Sequence, residues 1–228
     1  KNLDNVVILT GSNRSELAEL AVSKYNCNLL ILDDGFQHKK LYRDYDVLLI
    51  DQYNKFGNCK QLPLGPLREP ISGLKQADII IWVDKTDTVV DTPSITDFYD
   101  LSKPEFYAQY RFKCFVDPVK NQEINDFKYT NVFAFTGIGQ PELFFNQIKS
   151  NNLILNDTLK LDDHEDYSLQ IIDIINVNAI DSNSECLITT EKDFVKVIKY
   201  LDKIQLPIFV MKMTMNIDIN TIIKSIDI

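Results

Sequence analysis

Residues Asn28-Leu29-Leu30-Ile31-Leu32-Asp33-Asp34-Gly35-Phe36-Gln37-His38 constrain the architecture more than any other stretch, because four bulky aliphatics in a row stop abruptly at two carboxylates, a glycine and a histidine. An apolar run this short, bounded by polar residues, predicts a strand buried on both faces, as in parallel sheets. The polar residues then fall at the strand's C-terminal end, where the diverging loops of open α/β sheets leave a ligand crevice. Paired carboxylates placed there suit a hard cation such as Mg²⁺, in the manner of the acidic residue of a Walker B strand. Asp-Asp-Gly is also the composition of a plain turn. Gln37 and His38, two further polar groups just beyond, favour a site over a turn.

The flanking segments read as alternating strands and helices. Asn5 to Thr10 predicts a first strand, with Gly11-Ser12 as its turn. Asn13 with Glu16 three residues on has the form of a capping box, and Leu17, Leu20, Ala21 and Tyr25 then recur on one helical face. Asp46 to Asp51 and Asp78 to Asp84 are further buried-strand candidates. Between them, Gln52 to Leu74 has glycines at 57, 65 and 73 and prolines at 63, 66 and 70, which exclude a regular helix or a central strand. Long loops inside compact domains are usually functional. Arg68 in this loop carries a guanidinium able to grip phosphate oxygens bidentately, with a surface pairing to Glu69 or another acid as the plain alternative.

Further along, Phe106, Ala108, Tyr110, Phe112 and Cys114 alternate as in a half-buried strand. Asn131 to Thr136 predicts another strand, ended by Gly137-Ile138-Gly139, and Pro141 opens a helix lined by Leu143, Phe144, Gln147 and Ile148. Gly-x-Gly falls short of GxGxxG and reads first as close helix–strand packing. His164 is embedded in Asp162, Asp163, Glu165 and Asp166, carboxylates that would raise its pKa and orient its ring for acid–base work. Alternatively, Asp163 or Asp166 simply caps the helix expected over Tyr167–Ala179. Cys186 to Thr190 predicts a strand entering a helix with Phe194, Val197, Ile198 and Leu201 on one face. A strand at Ile208–Met213 and a helix at Ile219–Ile228 close the chain.

The 228 residues are 45% hydrophobic with a formal net charge of −9, enough apolar material for the core of one large or two small domains. The acidic balance argues against nucleic-acid or anionic-membrane binding across the whole surface. Cys27, Cys59, Cys114 and Cys186 are scattered without CxxC spacing, so neither a zinc site nor a disulfide frame is indicated and a reducing compartment fits. No apolar run approaches the roughly 18 residues of a membrane span, and no signal segment opens the chain. The first residue is Lys1 rather than Met, which reads as processing or as a piece of a longer chain.

Taken together, Asp33-Asp34-Gly35-Phe36-Gln37-His38, Leu62-Pro63-Leu64-Gly65-Pro66-Leu67-Arg68-Glu69-Pro70, Phe135-Thr136-Gly137-Ile138-Gly139, Asp163-His164-Glu165-Asp166-Tyr167 and Thr189-Thr190-Glu191-Lys192-Asp193 resemble the tetraacyldisaccharide 4′-kinase family of lipid A biosynthesis, five motifs in the family's order. The resemblance implies transfer of the γ-phosphoryl group of ATP to the 4′-hydroxyl of an acylated glucosamine disaccharide 1-phosphate, on the cytoplasmic side and peripheral to the inner membrane. It implies an α/β fold: the remainder of a P-loop NTPase-like parallel-sheet domain at 1–51, with a last helix at 216–228 as a candidate to return to it, and a second, smaller α/β/α domain at 52–215. Residue by residue, it makes Asp33 and Asp34 the Walker B-like pair that handles Mg²⁺, with Gln37 and His38 extending the ATP site. Arg68 would neutralise phosphate charge, Glu69 would position the loop, and His164 would form a dyad with an aspartate from the N-terminal region to activate the sugar hydroxyl.

One departure matters. No GxxxxGK[ST] occurs, so the backbone cradle and lysine for the β- and γ-phosphates are missing. In the family the P-loop, the dyad aspartate and much of the membrane contact precede the segment matching Asn5. The expectation is therefore the C-terminal two thirds of such a kinase, inactive by itself. The alternative is a non-catalytic α/β domain that keeps the fold and binds a sugar, a nucleotide or a protein partner. A metal-dependent hydrolase using Asp33, Asp34 and His164 lacks a further ligand-spaced set.

Overall fold

The structure, a computed structural model, describes residues 6–86, 93–163 and 165–226. They fall into two compact units, the first drawn from 1–83, 91–107 and 218–228 and the second from 84–90 and 108–217. The first of these segments runs unbroken to Val83. The cause is a strand pair: β1 (Val47–Asp51) and β2 (Ile79–Asp84) run parallel, from Val47 opposite Ile79 to Asp51 opposite Val83. Ile50 and Trp82 then share one core with Phe56, Leu74, Ala77, Ile80 and Ile95, so the proline-rich loop between the strands belongs to the first unit. Trp82 is fully buried, and its indole N–H donates to Glu105 Oε2 at 2.6 Å.

The first helix, α1 (Arg14–Tyr25), begins as its sequence predicts. The Asn13 side chain accepts from Glu16 N at 3.4 Å, and Asn26 closes the helix in the left-handed conformation at φ 53°. The two strands expected beside it do not form. Described residues 6–10 and 28–32 carry no ladder, and Ile8 and Ile31 are 76% and 89% exposed. A strand buried on both faces needs neighbours that pair its backbone and helices that cover its faces. Among the described residues of this unit, the named parallel ladder is β1 with β2, and neither apolar run is part of it.

In the second unit the strand order is β3–β8–β7–β5–β6, made of β3 (Glu105–Asp117), β5 (Asn131–Thr136), β6 (Ile154–Lys160), β7 (Cys186–Thr190) and β8 (Ile208–Asn216), with β4 (Gln122–Ile124) antiparallel on β3. β6, β5, β7 and β8 are mutually parallel, and β3 joins β8 antiparallel. A register shift between Phe112 and Cys114 breaks the alternation expected through Cys114, so Phe115 takes the buried face instead.

Helices cover both faces, as parallel strands require. α2 (Pro141–Ser150) buries Phe144, Phe145 and Ile148 against Val132, Ala134, Cys186, Ile188, Phe209 and Met211. On the other face α3 (Leu169–Asp181) and α4 (Glu191–Val197) cover Phe133, Phe135, Leu187, Ile208 and Val210. The chain leaves β5 towards one face and β7 towards the other. Adjacent parallel strands whose exits diverge create a crevice at their C-terminal ends. α5 (Ile219–Ser225), capped by Asp218, is grouped with the first unit. No helix among the described residues is long and apolar enough to cross a membrane.

Candidate functional site

The residues singled out in the sequence gather in two places, one in each unit. In the first unit, Asp33 and Asp34 lie in a turn rather than at a strand end. Asp34 adopts φ 47°, a left-handed conformation that aspartate tolerates better than bulky residues do. Gly35 follows because a Cβ there would stand 2.7 Å from Leu32 Cδ2.

The fold brings Arg68 to this turn from 34 residues away. Its Nη1 donates to both carboxylate oxygens of Asp34, at 3.0 and 3.3 Å. Arg14, at the start of α1, donates to the Asp34 carbonyl at 3.1 Å. Arg68 sits on an ordered loop: Asn58 Nδ2 donates to Leu64 O, Leu62 N to Leu67 O, and Leu67 N to Lys60 O, at 2.9, 2.9 and 3.1 Å. Gly65 is required there, since a Cβ would lie 2.1 Å from Asn58 Oδ1 and 2.3 Å from Lys60 O. The next side chain, Glu69, is largely buried and pairs with Lys39 at 3.4 Å, so the acid with which Arg68 makes its surface pair is Asp34.

Gln37 is exposed and its carbonyl accepts from Lys39 N at 3.1 Å. His38 turns inward, with Nε2 enclosed and without a hydrogen-bond partner. Its carbonyl accepts from Arg43 Nη1, and Arg43 forks onto Asp46 through Nε at 2.6 Å and Nη2 at 3.0 Å. The Asp46 carboxylate holds the Arg43 guanidinium above its ordinary pKa. Arg43 is thus a structural tie within residues 38–46, while Lys39 and Lys40 are exposed. No group of three or more His, Cys, Asp or Glu among the described residues makes a closed metal cage. Two adjacent exposed carboxylates, one of them outside any ion pair among the described residues, nevertheless fit the partial protein coordination that Mg²⁺ accepts alongside water and phosphate oxygens.

In the second unit the C-terminal ends of β5 and β7 meet the connection from β6 to α3. His164, in that connection, lies outside the described residues. Its neighbours are tied down. Leu161 N donates to Thr136 O at 2.9 Å, and Glu165 N donates to Asp162 O while Asp162 N donates to Glu165 Oε2, both at 3.1 Å. Lys192 reaches Asp163 Oδ1 at 2.8 Å and Lys196 reaches Glu165 O at 2.8 Å. The cap of α3 is Ser168, whose hydroxyl accepts from Ile171 N at 3.3 Å, so neither Asp163 nor Asp166 serves as that cap.

Two features here escaped the sequence reading. Asp193 is fully buried, accepting from Thr136 Oγ1 at 2.6 Å, Thr190 Oγ1 at 2.7 Å and Gly137 N at 3.1 Å. Tyr167 is buried beside it. Burial first, and then the Asp193 charge, push its phenol well above the usual range, although the hydroxyl makes no hydrogen bond of normal geometry. Threonine followed three residues later by aspartate reads as a helix cap, which hides what the side chain does across the sheet. Gly137-Ile138-Gly139 also proves to be a close-approach element, though towards a turn rather than a helix: a Cβ on Gly137 would stand 3.1 Å from Asp162 O.

Comparison with known proteins gives a consistent answer. Residues 1–227 match the model of the LpxK family, tetraacyldisaccharide-1-P 4′-kinase. The chain is 33% identical over 211 residues to the tetraacyldisaccharide 4′-kinase of Halothermothrix orenii, covering 85% of this chain and 54% of that one. It is 34% identical over 193 residues to the enzyme of that name from Histophilus somni, covering 84% and 52%. Among solved structures, "apo" form LpxK from Aquifex aeolicus in complex with ATP superposes with a TM-score of 0.67 at 25% identity, over 94% of this chain and 61% of that one. The chain spans about half the length of the curated relatives it matches.

Proposed function

Because this chain belongs to the tetraacyldisaccharide-1-P 4′-kinase family, we propose that it forms the larger part of an ATP-dependent kinase acting on the 4′-hydroxyl of tetraacyldisaccharide 1-phosphate. The observation that carries the reading is the Arg68–Asp34 pair, a guanidinium and a carboxylate brought to 3.0 Å from distant loops. Both side chains are about two-thirds exposed, where an ion pair adds little stability. Phosphoryl transfer, by contrast, depends on cations placed against phosphate oxygens and on carboxylates that hold Mg²⁺.

In this reading Asp33 and Asp34 hold the Mg²⁺ of MgATP, which supplies charge neutralisation at the β- and γ-phosphates when bound. Arg68 moves between Asp34 and the phosphoryl oxygens, and Arg14 steadies the Asp34 backbone. Glu69 fixes the loop through Lys39, and Gln37 and His38 border the nucleotide. His164 accepts the proton of the attacking sugar hydroxyl. The 228 residues contain no GxxxxGK[ST], so in this reading the phosphate cradle comes from outside them, and the family resemblance puts the aspartate partner of His164 there as well. This chain alone turns over little or nothing, and the membrane contact of the working enzyme is supplied elsewhere.

The test compares phosphate transfer from γ-labelled ATP to the disaccharide 1-phosphate by the full-length gene product and by the 228-residue chain. Transfer by the first and not by the second is expected. No transfer by the full-length product would leave the non-catalytic binding domain as the better description.

A further inference from the structure

The Thr189-Thr190-Glu191-Lys192-Asp193 motif has no part in the chemistry described above, yet it places a fully buried carboxylate against the C-terminal end of β5. We infer that Asp193 is a positioning residue, which holds the turn residues 161–163 and 165–167 in register with the end of β5. The inference rests on the reading of His164 as the base.

Helix capping does not account for this side chain. Thr190 already caps α4, its hydroxyl accepting from Asp193 N at 3.1 Å. The Asp193 carboxylate reaches past that cap to Thr136 Oγ1 at 2.6 Å and Gly137 N at 3.1 Å, 57 and 56 residues away. It is 0% exposed and forms no ion pair with a lysine or arginine among the described residues. A buried carboxylate without a counter-charge opposes folding unless hydrogen bonds satisfy it. Here the donors come from β5, from its terminal glycine and from the cap of α4. Rigid donors arranged around one charge fix its position, and through it theirs.

The turn is tied to the same three elements. Leu161 N bonds Thr136 O at 2.9 Å, directly behind the Thr136 hydroxyl that Asp193 holds. Asp162 O lies 3.1 Å from where a Gly137 Cβ would be, and Asp193 Oδ1 lies 3.4 Å from the same point. The Tyr167 ring, 2% exposed, packs against Phe135 with ring centroids 5.9 Å apart. From α4, Lys192 and Lys196 grip Asp163 and the Glu165 carbonyl, the residues on either side of His164 in sequence. Asp193 lies between these two lysines on the same short helix. Releasing it loosens the end of β5 and the lysine anchors together, and misplacement of a base by about 1 Å lowers turnover without weakening nucleotide binding.

Four variants of the full-length kinase test this. His164→Ala is expected to lower kcat on the order of 10²-fold or more. Asp193→Asn keeps the size and one acceptor but puts an NH₂ in place of one oxygen. Both threonine hydroxyls donate to Oδ2 and Gly137 N donates to Oδ1, so a donor then faces a donor at one of the two positions. The variant should lower kcat at least about tenfold while KM for ATP stays within about twofold. Asp193→Glu, with the charge but an extra methylene, should not rescue it. Val197→Ala, a fully buried site on the same helix, controls for stability: at an equal loss of Tm its kcat should stay within about twofold of the parent. Near-normal kcat in Asp193→Asn, or a fall matched by Val197→Ala, overturns the positioning role even if His164→Ala is inactive. An active His164→Ala instead removes the base reading, and the inference falls with it.

Discussion

Replacing Arg68 by alanine in the full-length protein separates stability from chemistry. The guanidinium meets Asp34 through one nitrogen at 3.0 and 3.3 Å, with side chains 64% and 66% exposed. Exposed pairs of this kind contribute about 0–1 kcal/mol. For about 150–250 residues 1 kcal/mol moves Tm by roughly 2–4 °C, and by less in a longer chain, so the melting curve should fall by no more than that. If the same guanidinium neutralises charge developing on the transferred phosphoryl group, kcat should fall on the order of 10²-fold, about 2.7 kcal/mol of transition-state stabilisation. Asp34→Asn should show the same disparity, and Arg68→Lys should recover only part of the loss because an ammonium lacks the planar fork. Steady-state transfer from γ-labelled ATP, measured beside circular-dichroism melts of the same preparations, reads both quantities. Near-normal turnover in Arg68→Ala would refute the assignment. A Tm loss well beyond 4 °C would show that the pair supports the fold instead.

Gly65→Ala places a Cβ against a backbone carbonyl as well as Asn58 Oδ1, so a loss of about 1–3 kcal/mol is expected; an unchanged thermal melt would contradict the packing described for the loop. Trp82→Phe removes the donor to Glu105 Oε2, a carboxylate that Ser94 Oγ and Ile95 N still hold at 2.7 and 2.9 Å, and should lower the urea midpoint by the equivalent of about 1–3 kcal/mol. Burial pushes the Cys186 thiol up to about 12. Only the unfolded chain ionises it near its ordinary value, so its stabilising contribution is complete below about pH 9 and is lost as pH rises towards 12, by at most about 4 kcal/mol. Urea titrations at pH 8 and pH 11 should show a smaller pH-dependent loss for Cys186→Ala than for the parent; equal losses would place the thiol in contact with solvent.

Much of the second unit is legible from local pattern. Val132 to Phe135 and Cys186 to Ile188 are continuous apolar runs, and both became strands covered on two faces. Pro141 opens α2 and Thr190 caps α4 because those residue types satisfy or dispense with the first orphan amides of a helix. The first unit was less legible. Leu29, Leu30 and Ile31 have the same texture as β2 but lack a partner among the described residues, and an apolar run without a ladder is not a strand. The candidate site divides likewise. Asp33, Asp34 and Arg68 stand out by residue type. The contribution of Arg14 through a backbone carbonyl has no sequence signal, and that of Asp193 was concealed by its likeness to a cap.

By itself, the sequence determined which residue types were available and where regular structure could start and stop, because those choices rest on chain stiffness, capping and apolar periodicity within a few residues. It also carried five motifs specific enough to place the chain in its family. Only the tertiary structure decided which of these residues meet. It set Arg68 against Asp34 across 34 residues and Asp193 against Thr136 across 57. It paired β1 with β2 and so kept the chain through Val83 in one unit. Strand pairing and the satisfaction of buried charge are contacts between distant segments, so their outcome follows from the neighbours the fold supplies.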